Sequence, residues 1–380
     1  MATVNKIGLD LKTFSLQAAG IGRYTTSLVE ELCHRRKLAY IGFPSPQSDF
    51  NRMKLLHLDL KNGLYRKSQS TYLRSFLFLS GAIQNSKIDL FHSMDSSAVH
   101  FWGKPRCKRV STIHDLIVFK YPEFFTRKHR TVVREIIKSA VRQADHLIAV
   151  SQSTKQDLLE QFPRLKPEHI SVTHLAASKN FTDAGRVAVN EFLEKHCLPK
   201  HYFFCLGTSE PRKNHQNLIN AFLGLKKNRE YDEIALIIAG GKGWMGQNNA
   251  ASYQEKLRRN KIYLLGFTPE EWLPLLYSGA IAFVYPSFYE GFGLPVLESI
   301  SCGCPVITSN VSSLPEVAGD SAVYVDPGST DAIKHGMMRF LDNDELRAAL
   351  STKGLQKSAQ FSWQKTAQQT EQIYQAVLAS

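Results

Sequence analysis

The sequence predicts an α/β protein in which two doubly wound parallel sheets form two domains. A chain of 380 residues suits two domains of this type. Short apolar runs such as residues 202–206 and 279–285 are too short for buried helices, and each is followed by a loop that contains glycine. Hydrophobic residues make up 43% of the sequence, which is enough to fill two cores.

The composition favours a cytoplasmic protein with reduced thiols. No segment reaches the ~18 consecutive apolar residues of a membrane span, and the most apolar helix candidate, residues 72–83, contains Arg74. We expect no signal peptide at the first residues. The six cysteines are scattered, and the close pair Cys302 and Cys304 has no partners at zinc-ligand spacing.

The net charge of +13 is concentrated in the first half of the chain. Residues 1–180 contain 28 Lys and Arg against 14 Asp and Glu, whereas residues 181–380 contain 19 against 20. This asymmetry indicates an anionic partner for the first half. Nucleic acid and the anionic inner face of a membrane are the two candidates. Because no nucleic-acid-binding motif is evident, we expect a membrane surface and no nucleic acid.

A glycine loop, Gly20-Ile21-Gly22, follows the first predicted strand and opens a helix. Its backbone N–H groups could receive a phosphate or a sugar hydroxyl. A turn that needs glycine dihedrals explains the same pattern equally well. The strands predicted in this half are residues 6–11, 88–91, 110–113, 146–150 and 170–173, and the helices are residues 127–144 and 151–159.

Polar residues end two of these strands, His92-Ser93 after the second and His114-Asp115 after the third. Ligands of open α/β sheets bind beyond the carboxyl ends of the strands. His114 is therefore a candidate catalytic residue, whereas we expect Asp115 to be structural. The alternative for His114 is a strand-end histidine whose ring is satisfied by a backbone carbonyl.

The predicted helix 127–144 is basic and amphipathic. An ordinary solvated face explains most helices of this kind, but six cations in one helix favour a role at a membrane surface. The cations are Arg127, Lys128, Arg130, Arg134, Lys138 and Arg142.

In the second half, the loop that follows residues 202–206 predicts a diphosphate clamp. A turn at Gly207 precedes adjacent Arg212 and Lys213 at a helix start. Arginine can bond two phosphate oxygens at once, and lysine adds a point charge. The further predicted strands are residues 234–239, 262–265, 279–285, 306–308 and 322–325, and the helices are residues 218–225, 295–302, 331–341, 344–350 and 362–378.

Residues 285–298 are the most informative stretch of the chain. An apolar strand precedes a loop with Glu290 and two glycines, and a helix that carries Glu298 follows. The helix start offers N–H groups and a positive dipole end to an anion, while carboxylates accept hydrogen bonds from sugar hydroxyls. A ligand that needs both is a nucleotide sugar.

Glu290 and Glu298, with Gly-Phe-Gly-Leu-Pro between them, resemble the paired-glutamate signature of retaining family-4 glycosyltransferases of the GT-B fold. In that family the first glutamate lies by the donor sugar and the second holds the ribose. The resemblance implies two Rossmann-like domains facing a crevice: residues 1–180 for the acceptor, residues 181–361 for the donor, and a helix, residues 362–380, that packs back on the first domain.

The resemblance also assigns roles to other motifs. Gly-Ile-Gly-Arg-Tyr would face the donor diphosphate and the acceptor, and His114 would contact the sugar near its C6 hydroxyl. Glu-Pro-Arg-Lys-Asn resembles the phosphate-binding loop, although many members carry an arginine where Thr208 stands, so Arg212 would take over that role. The predicted catalytic residues are Glu290, His114, Lys213 and Arg212, and the predicted donor-binding residues are Gly22, Gly207, Arg212, Lys213, Gly266, Phe267, Glu290, Gly291, Phe292, Gly293, Leu294 and Glu298.

The implied activity is transfer of a sugar from a nucleoside diphosphate sugar with retention. Gly243-Trp244 and the phosphate loop resemble mannosyltransferase-like members, which favours GDP-mannose as the donor. The acceptor would be a saccharide, lipid-linked, in lipopolysaccharide O-antigen or related polysaccharide biosynthesis. The enzyme would then be peripheral at the inner face of the cytoplasmic membrane.

We expect no cofactor and no metal. Asp342-Asn343-Asp344 has the spacing that binds Mn²⁺ in the other large glycosyltransferase fold, but it lies between two predicted helices, where acidic caps are common. Two alternatives to a glycosyltransferase remain open at this point. One is a GT-B nucleotide-sugar epimerase, and the other is a basic, non-enzymatic binding protein.

Overall fold

The computed structural model describes residues 5–14, 20–35, 38–44, 51, 53, 56, 58–60, 83, 86–96, 107–241 and 251–380. The chain divides into two compact units. The first comprises Met1–Leu175 together with Ser362–Ser380, and the second comprises Ala176–Phe361. The first unit therefore ends at Leu175, whereas the sequence analysis placed this boundary at residue 180. The chain returns to the first unit after Phe361.

The first unit contains a parallel sheet of seven strands. Their order is β3-β2-β1-β4-β5-β6-β7, so the direction of winding reverses between β1 and β4. The strands are β1 Lys6–Leu11, β2 Ala39–Pro44, β3 Asp59–Leu60, β4 Leu90–Ser93, β5 Lys108–Ile113, β6 His146–Ala149 and β7 Ile170–Val172. The helices are α1 Gly20–Arg35, α2 Ile117–Lys120, α3 Arg127–Gln143, α4 Gln152–Gln161 and, at the end of the chain, α13 Trp363–Ala379.

The second unit repeats this winding with six parallel strands in the order β10-β9-β8-β11-β12-β13. The strands are β8 Tyr202–Leu206, β9 Ala235–Ala239, β10 Ile262–Gly266, β11 Ala282–Tyr285, β12 Val306–Ser309 and β13 Ala322–Val325. The helices are α5 Arg186–Lys195, α6 His215–Leu225, α7 Ala251–Arg259, α8 Leu273–Ser278, α9 Leu294–Ser301, α10 Leu314–Ala318, α11 Thr330–Leu341 and α12 Asp344–Ser358. The predicted fold class, two doubly wound parallel sheets, is confirmed.

Two predictions for the first unit were wrong in detail. Helix α1 begins at Gly20, so Gly22 lies in its first turn and not in a loop before it. His92 and Ser93, which were predicted to follow a strand, belong to β4 and are buried. The ring of His92 is tolerated inside the sheet because both of its nitrogens have partners: Nδ1 lies 2.6 Å from Tyr374 Oη and Nε2 lies 2.8 Å from Thr112 Oγ1.

The last helix is fastened to the first unit by polar contacts as well as by apolar packing. Glu371 is 2% exposed, and its carboxylate accepts hydrogen bonds from Arg35 Nε at 2.7 Å and from Tyr40 Oη at 3.1 Å. Thr366 Oγ1 donates to the carbonyl of His174 at 2.6 Å. These bonds reach three different segments of the unit, so α13 is part of its core.

Candidate functional site

Two loops meet where the winding of the second sheet reverses. Strands β8 and β11 are hydrogen-bonded neighbours, with Phe203 opposite Ala282. The residues that follow each strand therefore emerge side by side at the carboxyl edge of the sheet, which is where ligands of doubly wound sheets bind. Lys213 comes from the loop after β8, and Glu290 comes from the loop after β11.

The loop after β8 places Lys213 by means of a 3₁₀ turn, Pro211–Lys213, and a left-handed residue, Asn214, at φ 59° and ψ 32°. Asparagine adopts this conformation more readily than most residues. Its side-chain amide donates to the carbonyls of Pro286 at 2.9 Å and Pro327 at 2.7 Å, which fixes the loop against its neighbours. A Cβ at Gly207 would lie only 3.2 Å from Lys213 Cγ, so glycine leaves room for the lysine stem.

The carboxylate of Glu290 collects four donors, which together we call the glutamate cluster. Its Oε1 accepts from Lys213 Nζ at 2.7 Å, from Tyr285 Oη at 2.8 Å and from Ser287 Oγ at 2.8 Å. Its Oε2 accepts from Arg212 Nη1 at 2.8 Å. Glu290 is 7% exposed and Lys213 is 6% exposed. The ion pair with Glu290 allows the Lys213 ammonium to be buried.

The electrostatics of the cluster keep Glu290 ionised. Burial by itself would raise the pKa of this carboxyl, but Arg212 and Lys213 outweigh burial and hold the pKa at about 2. At neutral pH the residue cannot exchange a proton with a substrate. It can orient a hydroxyl and stabilise positive charge.

Arg212 is held from two sides. Its Nε donates to Glu210 at 2.9 Å while Nη1 reaches Glu290, and Thr208 Oγ1 also donates to Glu210, at 2.5 Å. Thr208, which stands where many family-4 members carry an arginine, therefore supports the carboxylate that orients Arg212. Arg212 and Lys213 are balanced by Glu210 and Glu290, so a diphosphate would have to compete with carboxylates for both cations.

The glycine-containing loop after Glu290 leads into helix α9. Gly293 has φ +103°, a conformation that side chains rarely adopt, and a Cβ there would lie 3.0 Å from Leu314 Cδ2. Gly291 and Phe292 are buried, and the ring of Phe292 packs edge-on against Phe361 with centroids 5.9 Å apart. Leu294 begins the helix.

Glu298 lies one helix turn after Leu294 in α9. It is 1% exposed and accepts a hydrogen bond from Tyr277 Oη at 3.2 Å. Glu298 was predicted to hold the ribose, and in this structure its carboxylate is buried and hydrogen-bonded to Tyr277. Its predicted contact with a ribose stays a prediction.

Gly266 and Phe267, which were predicted to bind the donor, lie at the end of β10, two strands away from β8. Gly266 has φ +69°, and its carbonyl accepts from the N–H of Gly240 at 2.7 Å. The side chain of Phe267 is 74% exposed, which is unusual for a ring of this size. The resembling loop at Gly243 and Trp244 lies outside the described residues.

His114 and Gly22 belong to the first unit. His114 follows β5, and its Nε2 lies 2.9 Å from the carbonyl oxygen of Met94. A carbonyl only accepts, so Nε2 carries the proton. Burial lowers the pKa of His114, which keeps the ring neutral and makes Nδ1 an acceptor. The backbone contact expected for a structural histidine is thus present, and one nitrogen remains able to accept from a hydroxyl. Tyr24, two residues after Gly22 in α1, lies edge-on to the ring at 4.9 Å.

Sequence reasoning missed several residues that build the cluster. Tyr285 and Ser287 bind the carboxylate itself. Ser313 Oγ donates to the carbonyls of Glu290 at 2.9 Å and Phe292 at 2.8 Å, and the N–H of Glu290 donates to Ser312 Oγ at 3.0 Å. The only signal for Tyr285 and Ser287 was that they flank the strand end next to Glu290. The two later serines gave no signal.

The Asp342-Asn343-Asp344 segment connects two helices. Asn343 caps α12 by accepting from the N–H of Leu346 at 2.8 Å, Asp342 accepts from Tyr231 Oη at 2.9 Å, and Asp344 pairs with Arg347. Among the described residues no group of three or more His, Cys, Asp or Glu side chains could hold a metal ion. All six cysteines are free. In the described part of the chain, no helix combines the length and apolarity that crossing a bilayer requires.

Two family models match the chain. The model for glycosyl transferases group 1 matches residues 191–357, and the model for glycosyltransferase family 4 matches residues 18–176. The chain is 31% identical to O-antigen chain mannosyltransferase B of Escherichia coli over 374 residues, which cover 93% of this chain and 95% of that protein. It is 29% identical to the serotype-specific mannosyltransferase WbdA of Escherichia coli over 68% of this chain and 32% of WbdA.

Solved structures share the fold at low sequence identity. The structure of HepE from Anabaena in complex with UDP and glucose superposes with a TM-score of 0.75 at 16% identity, covering 98% of this chain and all of that one. WaaG, a glycosyltransferase involved in lipopolysaccharide biosynthesis, superposes with a TM-score of 0.74 at 14% identity, covering 97% of this chain and 99% of that one. With two family models across both halves and a full-length relative at 31% identity, the chain belongs to the group 1 and family 4 glycosyltransferases of the GT-B fold.

Proposed function

We propose that this glycosyltransferase transfers mannose from GDP-mannose, with retention of configuration, to a lipid-linked saccharide in lipopolysaccharide O-antigen biosynthesis. The observation that carries the proposal is the glutamate cluster, which presents Arg212 and Lys213 beside an ionised Glu290 at the switch point of the second sheet. The mannose and O-antigen parts are supported by the name of the full-length relative, O-antigen chain mannosyltransferase B.

The chemistry needs two kinds of charge stabilisation. As the glycosidic bond to the donor breaks, the diphosphate gains negative charge while the sugar becomes cation-like. Lys213 and Arg212 stabilise the first, and removal of one such donor typically costs on the order of 10²–10³ in rate. The Oε1 atom of Glu290 already accepts three hydrogen bonds, so Oε2, which accepts one, is the oxygen that orients a sugar hydroxyl.

We propose no covalent intermediate on the enzyme. The carboxylate of Glu290 is tied by four hydrogen bonds and two cations, which makes it a poor nucleophile. We also propose that no metal is required, because Arg212 and Lys213 supply the positive charge that a divalent ion would otherwise bring to the diphosphate.

The proposed place of action is the anionic inner face of the cytoplasmic membrane. Arg127, Lys128 and Arg130 lie in and just after the first turn of α3, and within the described residues none of their side chains has an ion pair or hydrogen bond. Cations at a helix N-terminus oppose the helix dipole, so these three do not serve the stability of α3. An anionic lipid surface offsets that cost at about 1 kcal/mol per well-placed charge.

The test is a donor and acceptor panel. Purified enzyme is given GDP-mannose, UDP-glucose or ADP-glucose, each with and without an envelope lipid extract, and products are followed by mass spectrometry and anomeric NMR. Mannose transfer from GDP-mannose to lipid only, with an α-linkage, supports the proposal. Formation of a different free nucleotide sugar in the absence of lipid would identify an epimerase. A β-linked product would show that the reaction inverts the configuration.

A further inference from the structure

The phenol of Tyr285, the last residue of β11, lies between the ammonium of Lys213 and the carboxylate of Glu290. Its oxygen accepts a hydrogen bond from Lys213 Nζ, and its hydroxyl donates to Glu290 Oε1 at 2.8 Å. We propose that Tyr285 is a positioning residue that aims the Lys213 ammonium at the diphosphate of the donor. This inference rests on the proposed function, because it requires that the protein bind a nucleoside diphosphate.

The place of this hydroxyl is set by packing and not by the ligand. Tyr285 is fully buried, and its ring stacks on Phe283 with centroids 5.4 Å apart and an interplanar angle of 21°. The carbonyl of Tyr285 accepts from Thr308 Oγ1 at 2.9 Å, which ties the strand end to β12. The phenol is therefore a rigid reference point on the sheet.

Lysine needs such a reference point because its four-carbon stem is flexible. The Lys213 ammonium lies 4.9 Å from the centroid of the Tyr285 ring, so it contacts the tyrosine at its hydroxyl end. An ammonium has three N–H groups. Two are directed at Tyr285 and Glu290, and the third is the one that can meet a phosphate oxygen. When two N–H groups of the ammonium are held by hydrogen bonds, the direction of the third N–H is fixed.

The phenol can hold this role across the working pH range. Burial, and the nearby charge of Glu290, raise the pKa of Tyr285 well above its usual value. The hydroxyl stays protonated, so it always has a proton for Glu290 and a lone pair for Lys213. Without it, the ammonium would keep only its hydrogen bond to Glu290. The lysine side chain would then lose more conformational entropy on ligand binding.

The test compares Tyr285→Phe with a matched control, Tyr202→Phe. Tyr202 is also fully buried at a strand of the same sheet, but its hydroxyl donates to the carbonyl of Leu276 at 2.9 Å, at the other end of β8. Calorimetry of the wild type with GDP, UDP and ADP first identifies the nucleoside diphosphate that binds. The affinities of each variant for that diphosphate and for the corresponding nucleoside are then measured. We expect Tyr285→Phe to weaken diphosphate binding about tenfold and leave nucleoside binding unchanged, with Tyr202→Phe changing neither.

A double-mutant cycle separates positioning from structural support. In a Lys213→Ala background, Tyr285→Phe should cause no further loss of diphosphate affinity, because the tyrosine acts through that lysine. Additive losses, an unchanged ratio of diphosphate to nucleoside affinity, or an equal effect of Tyr202→Phe would overturn the inference. If Tyr285→Phe does not fold, Tyr285→Met replaces it in the test. We expect the same tenfold loss of diphosphate affinity and the same unchanged nucleoside affinity. A wild type that binds none of the three diphosphates would instead remove the proposed function and this inference with it.

Discussion

Lys213 Nζ lies 2.7 Å from Glu290 Oε1 although the two residues are 77 positions apart in the chain. The pair joins the loops after β8 and β11 at the point where the second sheet reverses its winding. A cation and an anion that are both buried stabilise each other only while both are present. Each of the two is thus a sensitive probe of the site.

Replacing the lysine, Lys213→Ala, should lower kcat by about 10²–10³ because the ammonium stabilises the departing diphosphate. The variant should fold with a lower unfolding temperature, since Glu290 keeps only Arg212 as a cationic partner. The measurement is steady-state transfer together with thermal unfolding. Lys226→Ala is the control, since Lys226 Nζ donates to three backbone carbonyls, those of Tyr231, Asp232 and Ile234. Wild-type turnover by the Lys213 variant would show that the assignment is wrong.

The charge of Glu290 predicts a pH dependence of stability. Its pKa is about 2 in the folded protein against a usual 4.5, a depressed value. Its contribution is therefore complete above pH 4.5 and is lost as pH falls towards 2, with a full size of about 3 kcal/mol. The difference in unfolding free energy between wild type and Glu290→Gln, measured by denaturant titration, should be constant from pH 8 to 5 and shrink below that. A difference that changes between pH 5 and 8 contradicts this pKa.

For His114, the neutral ring with an accepting Nδ1 predicts a substrate-specific effect. If Nδ1 accepts a hydrogen bond from the C6 hydroxyl of the donor sugar, His114→Ala should slow transfer from GDP-mannose about tenfold to a hundredfold. Transfer from GDP-rhamnose, a 6-deoxy sugar, should be slow in the wild type and little changed in the variant. Because burial lowers the pKa of His114, wild-type activity should show no inflection at the usual histidine pKa of 6.5. If His114→Ala slows transfer from both donors equally, Nδ1 does not contact the C6 hydroxyl.

Chelation tests the proposal that no metal takes part. Transfer should persist in excess EDTA because Arg212 and Lys213 already supply positive charge. The double variant Asp342→Asn, Asp344→Asn should retain activity, since the two carboxylates contact Tyr231 and Arg347. Activity that EDTA abolishes and Mn²⁺ restores, in the wild type but not in the double variant, would instead assign a metal to these aspartates.

Membrane binding should depend on three cations of α3. The triple variant Arg127→Gln, Lys128→Gln, Arg130→Gln should sediment poorly with anionic vesicles, while the wild type binds at low salt and is released near 1 M, where the screening length is ~3 Å. Arg134→Gln is the control: Arg134 Nε donates to the carbonyl of Val118 at 2.9 Å, and its guanidinium lies 5.2 Å from the Phe119 ring, so it faces the protein. If the wild type binds neutral and anionic vesicles equally well, the basic residues of α3 serve a different anionic partner.

The sequence by itself determined the fold class and the loops that carry the chemistry. Apolar runs of four to six residues, each ended by glycine or a polar residue, predict buried parallel strands, and residues 6–11, 202–206 and 322–325 are strands with the predicted bounds. Glu290, Arg212 and Lys213 could be singled out because each lies in a loop between a predicted strand and a predicted helix, where ligands of such sheets bind. Strands β2 and β3 were missed, since β3 is only two residues long and neither carries a clear periodic signal.

Only the tertiary structure decided which of these residues touch. The pairing of β8 with β11 brings Glu290 to Arg212 and Lys213, and the same pairing brings in Tyr285, whose apolar strand context concealed its hydroxyl. In the same second unit, Glu298 is hydrogen-bonded to Tyr277. In the first unit, His92 lies inside β4, where the hydroxyl of Tyr374 from the far end of the chain meets its Nδ1. A local pattern reports burial and backbone conformation, whereas hydrogen-bond partners are set by strand order, which long-range packing determines.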